Sequence, residues 1–136
     1  MIQRIQTIWL ILAGACAALT FKLPYYIGTN ELGVASFPLT PDGHFFITIL
    51  TAAVVFNALI TIFLFKERVV QIRLSIIGIF MEVLLLFLYY RETKIFTAGT
   101  YTLWSILHML VLIFFFLAAR AINKDDKLIR DSNRLR

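Results

Sequence analysis

The sequence predicts an all-α fold, a four-helix transmembrane bundle with both termini cytoplasmic. Three observations predict it. Of 136 residues, 60% are hydrophobic, and the mean hydropathy is +0.85. A soluble domain of that composition could not cover its core with polar surface. The apolar residues fall into four stretches of spanning length, near 5–23, 44–65, 72–90 and 100–119. Each matches a hydrocarbon core of about 30 Å at about 1.5 Å of helical rise per residue. The third observation is charge. With these spans, one side carries ten Lys and Arg: Arg4, Lys66, Arg68, Arg73, Arg120, Lys124, Lys127, Arg130, Arg134 and Arg136. The other side carries three, Lys22, Arg91 and Lys94. The loops are short, so the positive-inside rule places the ten in the cytoplasm. The whole chain, 1–136, reads as one integral membrane domain with a cytoplasmic tail at 120–136. Its net charge of +5 reflects topology and attraction to anionic lipid before any affinity for nucleic acid.

The first span, from Ile5, is rich in small residues. Leu12-Ala-Gly-Ala-Cys16 approaches a lipoprotein cleavage site. A large aliphatic residue is needed where Ala13 stands, however, and the apolar run continues past Cys16 to Leu23. The reading is therefore an uncleaved span, with Ala13, Gly14, Ala17 and Ala18 offering a close-packing face. Cys16 is the single cysteine, so no intramolecular disulfide can form.

Pro24 ends the span, and Tyr25 and Tyr26 mark the interface. Residues 27–42 form the one sizeable periplasmic loop. Gly28, Gly33, Pro38 and Pro41 punctuate it, and Val34–Leu39 suits a short extended segment. Thr40-Pro41-Asp42 signals a helix start: a capping hydroxyl, a proline for the first turn and an acid for the positive helix end. The second span carries Asn57. The short turn 66–71 makes spans two and three antiparallel neighbours. Span three holds one ionisable residue, Glu82, and leaves the membrane at Tyr89-Tyr90. Arg91–Lys94 is a small outer loop, residues 95–99 re-enter, and span four begins at Thr100 with His108 inside. All five tyrosines, at 25, 26, 89, 90 and 101, then lie at the outer boundary, as aromatic belts do. In the tail, Ala121, Leu128 and Leu135 repeat at seven-residue spacing, as do Ile122 and Ile129, with Lys124, Lys127, Arg130 and Arg134 on another face. Span four either continues as this helix or bends onto the membrane surface; Asp125 on the apolar stripe weighs against the surface-lying form.

Glu82 and His108 each lie eight positions inside an outer marker, Tyr90 or Thr100, so both sit about 12 Å deep. On neighbouring helices they can meet and couple two titrating groups, the raw material of a proton relay. The plainer reading is one hydrogen bond joining two helices. Asn57 reads as an interhelical donor, and Asp42 with His44 as a helix cap beside an interfacial histidine, too few groups for a metal. No glycine-rich phosphate loop, His/Cys ligand set or Ser/His/Asp arrangement can be placed. The expectation is no enzyme, no cofactor and no metal. The tail lacks aromatics for base stacking, but its Lys and Arg suit lipid phosphate, with ribosomal RNA or another polyanion as a weaker alternative.

Met1-Ile-Gln-Arg-Ile-Gln-Thr7, Lys124-Asp-Asp-Lys-Leu-Ile-Arg130 and Asn133-Arg-Leu-Arg136, joined by four spans, resemble domain-of-unknown-function family number 4293 of Bacteroidota inner-membrane proteins. That resemblance implies a multi-pass protein of the bacterial inner membrane with no established activity. Its distinctive residues, among them Arg4, Gln6 and the basic tail, lie at the cytoplasmic ends. This implies docking at the inner surface. The leading functional expectation is therefore an accessory or scaffold subunit of a larger membrane complex. It would use its spans and the basic face of Arg4, Lys66, Arg68, Arg73, Lys124, Lys127, Arg130, Arg134 and Arg136. The alternative is a small proton- or ion-coupled transporter built on Glu82 and His108.

Overall fold

The computed structural model describes residues 2–136, with side chains from Ile5 onward; the expectation for the Arg4 side chain lies outside the described residues. Four helices form among them: α1 (Ile2–Leu19), α2 (Phe45–Phe63), α3 (Arg68–Thr93) and α4 (Ile106–Arg134). They run up, down, up and down around a square. Each packs on its sequence neighbours, and α4 closes the ring on α1. Three stretches are long and apolar enough to cross a membrane: α2, α3 and Leu103–Arg134. The described apolar part of α1, Ile5–Leu19, is shorter.

One periodicity runs through all four helices. The buried positions are Gln6, Leu10, Ala13 and Ala17 on α1 with Thr20 just past its end, and Ile47, Thr51, Val54, Ala58 and Thr61 on α2 with Asn57 beside Ala58. On α3 they are Gln71, Ser75, Gly78, Glu82, Leu85 and Tyr89, and on α4 His108, Val111, Phe115, Ala118, Ile122 and Asp125. Steps of three and four alternate, which is the heptad seam of a left-handed bundle. Much of this inward seam is small or polar. The outward positions include Ile8, Phe56, Phe63, Phe80 and Phe116, all more than half exposed. Such an inside-out distribution suits a hydrocarbon surrounding, where apolar side chains gain little by facing one another and close backbone approach does more.

Small seam residues allow that approach. Ala13 and Ala17 lie in the core, and a Cβ on Gly14 would rest in ordinary contact with Ala58. The small face of α1 is therefore used inside the bundle, apart from Ala18, which is exposed. Gly78 is stricter. A Cβ there would lie 2.7 Å from Cε1 of Phe115 and 2.8 Å from Nδ2 of Asn57. The Phe115 ring occupies the space a side chain on α3 would need.

Away from the basic helix ends, the connections build a small antiparallel sheet. The strands are β1 (Tyr26–Thr29), β2 (Phe37–Leu39) and β3 (Ala98–Tyr101), with β1 in the middle. Tyr26 pairs with Leu39 on one side and Tyr101 on the other. Gly28 faces Gly99, and a Cβ on Gly28 would come within 2.4 Å of the Ala98 carbonyl oxygen, so only glycine permits this approach.

The sheet differs from the expected outer loops in three ways. The extended segment at 34–39 shortens to Phe37–Leu39 and pairs as a hairpin. Helix α3 runs on through Thr93 instead of ending at Tyr90. Thr100 lies in β3, and after a 3-10 turn at Leu103–Ser105 α4 starts at Ile106. The reason is nonlocal: a β3 partner some seventy residues away satisfies the strand backbone, and no local pattern announces that. At the start of α2, Pro41 occupies the first turn of a 3-10 segment, Pro41–Gly43, but the Thr40 side chain makes no capping bond. Thr48 does local work instead, donating to the carbonyls of Pro41 and His44. The tail does not bend: α4 continues through it as one helix to Arg134.

Placing a methyl group at position 78 forces α3 away from Phe115. Gly78→Ala should cost about 1–3 kcal/mol of stability, and Phe115→Leu in the same chain should recover part of it. Unfolding in detergent followed by circular dichroism measures both; an unperturbed Gly78→Ala would contradict the contact.

Candidate functional site

The site grows from the polar members of the seam. A polar group buried in an apolar bundle must find its partner inside it. Near the basic end the partners are amides. Gln6 Nε2 donates to Gln71 Oε1 at 3.3 Å, across the diagonal from α1 to α3. Gln71 Nε2 donates in turn to the Thr61 carbonyl at 2.7 Å. Asn57 Nδ2 donates to the Leu74 carbonyl at 3.0 Å, tying α2 to α3. The buried hydroxyls of Thr20, Thr51 and Thr61 donate to carbonyls one turn back on their own helices. Below this layer Arg68 Nη2 lies 3.3 Å from Asp125 Oδ2, with both side chains largely buried.

Towards the sheet, α3 presents Glu82 and α4 presents His108. The two meet: Nδ1 of His108 lies 2.6 Å from Oε1 of Glu82, and the side chains are 3% and 2% exposed. This short contact is a hydrogen bond between two side chains that have lost their water. Two rings cover the imidazole. The centroid of Tyr89 is 5.0 Å from it and that of Tyr25 is 5.4 Å, edge to face. Tyr25 and Tyr89 stack at 4.5 Å, and Tyr25 also meets Tyr101 edge-on at 5.7 Å. Thr102 fixes this cover by donating its hydroxyl to the Pro24 and Tyr25 carbonyls. Burial, and secondarily Tyr101, raises the Tyr25 phenol above its ordinary range, so Tyr25 stays a neutral donor. The hydroxyl of Tyr89 is buried and makes no hydrogen bond.

The remaining candidates separate into groups. Asn57 belongs to the amide layer, next to Gly78 and Phe115. His44 lies at the sheet end, with Nδ1 3.5 Å from Oε2 of Glu92; Asp42 is exposed. Of the basic residues, Arg68 is held by Asp125 and so braces the bundle; it is not a free docking residue. Lys66, Arg73, Lys124, Lys127, Arg130, Arg134 and Arg136 are exposed. Arg130 pairs with Asp126 at 3.0 Å, a surface contact of little energetic weight. Among the described residues, no group of three or more His, Cys, Asp or Glu could hold a metal ion.

Gln71 and Ser75 lie outside the sequence reading, although each falls on a heptad seam position of α3. Gln6, read as a cytoplasmic-end residue, and Asp125, read on the apolar stripe of the tail, are both buried in the bundle. Tyr25 and Tyr89 read as members of an interfacial belt, and nothing in their local sequence marks them as the cover of His108.

The family described as "Domain of unknown function (DUF4293)" matches residues 2–135, and the chain belongs to that family. No curated protein and no solved structure matches the chain.

Removing one member of the buried pair strands the other. His108→Ala should destabilise the bundle by about 3–5 kcal/mol. Replacing both Glu82 and His108 by Gln should recover most of that loss, because an amide pair can bridge the same two helices. A double-mutant cycle of unfolding in detergent checks this, and additive single and double effects would contradict a direct contact.

Proposed function

We propose that this member of the DUF4293 family is a small accessory subunit of a larger membrane assembly. In this reading its basic end lies in the cytoplasm of a bacterial cell, its helices anchor it in the inner membrane, and the end of α4 docks a partner. The observation that carries the reading is the tail. From Lys127 onward every residue of α4 is exposed, yet the helix continues to Arg134. A short helix without packing is marginal in water, and an amphipathic one gains stability by burying its apolar stripe. Lys127, Arg130 and Arg134 lie on one side, while Leu128 and Leu135 lie about a third of a turn away, 48% and 90% exposed. That combination suits a protein surface with an apolar groove and acidic rim. Anionic lipid headgroups near the same end would add electrostatic attraction.

The orientation follows from the charge asymmetry. Of the 13 Lys and Arg, only Lys22, Arg91 and Lys94 belong to the sheet end. A cysteine at Glu31 should react with an impermeant thiol reagent in intact spheroplasts, and one at Asn133 only after permeabilisation. Labelling at Asn133 in intact spheroplasts would reverse the topology and remove the docking site from the cytoplasm.

Docking is tested by extraction in mild detergent at native expression. The wild-type chain should bring down one protein partner in stoichiometric amount. A triple Lys127→Glu, Arg130→Glu, Arg134→Glu variant should insert normally and lose it. A lone monomer or a homo-oligomer overturns the proposal, and recovery of ribosomes alone would mark the tail as a polyanion contact.

A second reading, a proton- or ion-coupled carrier, is favoured by the buried Glu82–His108 pair. In that case Glu82→Gln abolishes function while the fold survives, and tail charge reversal has little effect.

A further inference from the structure

We propose that Glu82 and His108 form an exchangeable proton-binding site that communicates with the sheet end of the bundle and is sealed from the basic end. The proposal is independent of docking through the tail.

The choice of side chains is the first argument. Where this bundle joins helices near its basic end it uses amides, Gln6 with Gln71, Gln71 with the Thr61 carbonyl, and Asn57 with the Leu74 carbonyl, and below them the ion pair of Arg68 with Asp125. A neutral amide pair bridges helices without the desolvation cost that charge carries. Only a few turns away the same seam uses a carboxyl and an imidazole at 2.6 Å. That pair can do one thing an amide pair cannot, which is to gain or lose a proton.

The second argument is geometry, and it gives the site a side. Towards the basic end Phe115 sits against Gly78, and it packs with Ala13, Val54 and Val111 in one cluster of fully buried apolar residues. This layer divides the polar seam in two, with the Glu82–His108 pair above and the amide network below. A proton needs a chain of hydrogen-bonding groups or water, and an apolar layer supplies neither. Towards the sheet a second buried cluster, Tyr26, Leu39, Ile47, Leu85 and Tyr89, closes the bundle, but the part of the cover that meets the imidazole is phenolic. Tyr25 and Tyr89 lie over the imidazole, Tyr25 leads edge-on to Tyr101, and Tyr101 is 55% exposed. The buried, unpartnered hydroxyl of Tyr89 leaves a polar atom beside this cover ready to hold a water. An open groove lined by Tyr25, Leu86, Thr102, Ser105 and Met109 reaches the Tyr25 side of this cover from outside.

The charged surroundings are simple. On α3 the titratable neighbours are Glu82 itself and Tyr89; on α4 there is His108; the segment before β1 contributes Tyr25, and β3 contributes Tyr101 through Tyr25. At this height α1 and α2 present Ala17, Thr20 and Thr51, and the threonine hydroxyls are engaged with their own backbones. The pair is therefore faced from those helices by groups that carry no charge. Holding one proton, it is neutral overall, as carboxylate with imidazolium or as acid with imidazole. A second proton leaves a cation facing two aromatic rings, which can stabilise it; losing the first leaves a carboxylate.

The test uses the full chain in phosphatidylcholine–phosphatidylglycerol vesicles. Two preparations of opposite orientation are used, and protease cleavage of the tail reports which is which. An external pH step is followed by infrared difference spectroscopy. The carboxyl band lost in Glu82→Gln reports Glu82. The band should shift at once when the sheet end faces outward. When the basic end faces outward it should shift only after an ionophore equalises the interior. Phe115→Ala should abolish that delay. If Glu82→Gln fails to fold, the ¹⁵N resonances of His108 in the wild-type chain give the same readout. A band that never moves with pH makes the pair structural glue and overturns the proposal. An immediate shift from both ends removes its sidedness and favours carriage across the membrane.

Discussion

The structure depends on one constraint: a polar seam enclosed by helices whose outer faces are apolar. Within such a bundle a side chain that can hydrogen-bond has no solvent to fall back on. Most polar seam residues therefore select a partner, the Ser75 and Tyr89 hydroxyls excepted, and the partners set the register of the helices. Gln6 reaching Gln71, and Gln71 reaching the Thr61 carbonyl, fix α1, α3 and α2 at one height. His108 reaching Glu82 fixes α4 against α3 at another, and Arg68 with Asp125 fixes the same two helices again near the basic end. Apolar packing alone would tolerate sliding by a turn; these contacts do not.

One apolar contact within the seam is as specific as the polar ones. Phe115 needs Gly78 opposite it, because any Cβ there would overlap the ring. The polar groups are thereby sorted into two compartments of different chemistry. The lower one contains amides, hydroxyls and an ion pair that brace the helices. The upper one contains the carboxyl–imidazole pair and its phenolic cover, close to the sheet. The sheet takes part in this arrangement. Pairing of β1 with β3 brings Tyr25 and Thr102 together, and Thr102 holds the Tyr25 segment over His108.

The two ends of the molecule differ in the same way. At the sheet end, backbone pairing and aromatic stacking close the bundle. At the basic end α4 outruns its neighbours, and its last turns have packing only on offer. The seven-residue spacing that buries Ile122 against the bundle continues to Ile129 after the bundle has ended.

By itself the sequence determined the presence of the apolar stretches, the asymmetry of Lys and Arg, and the shared depth of Glu82 and His108. Each of these is a property of composition or of counting along one helix. Only the tertiary structure decided which face of each helix turns inward, since helices that are apolar nearly all round, such as α2 and α3, carry little amphipathic signal to distinguish lipid from neighbour. It also decided that Arg68 braces Asp125 instead of facing a partner, that Thr100 belongs to a strand and not to a helix, and that Tyr25 and Tyr89 roof the imidazole. Those outcomes rest on contacts between residues far apart in the chain, whose free energy exists only once the helices have come together.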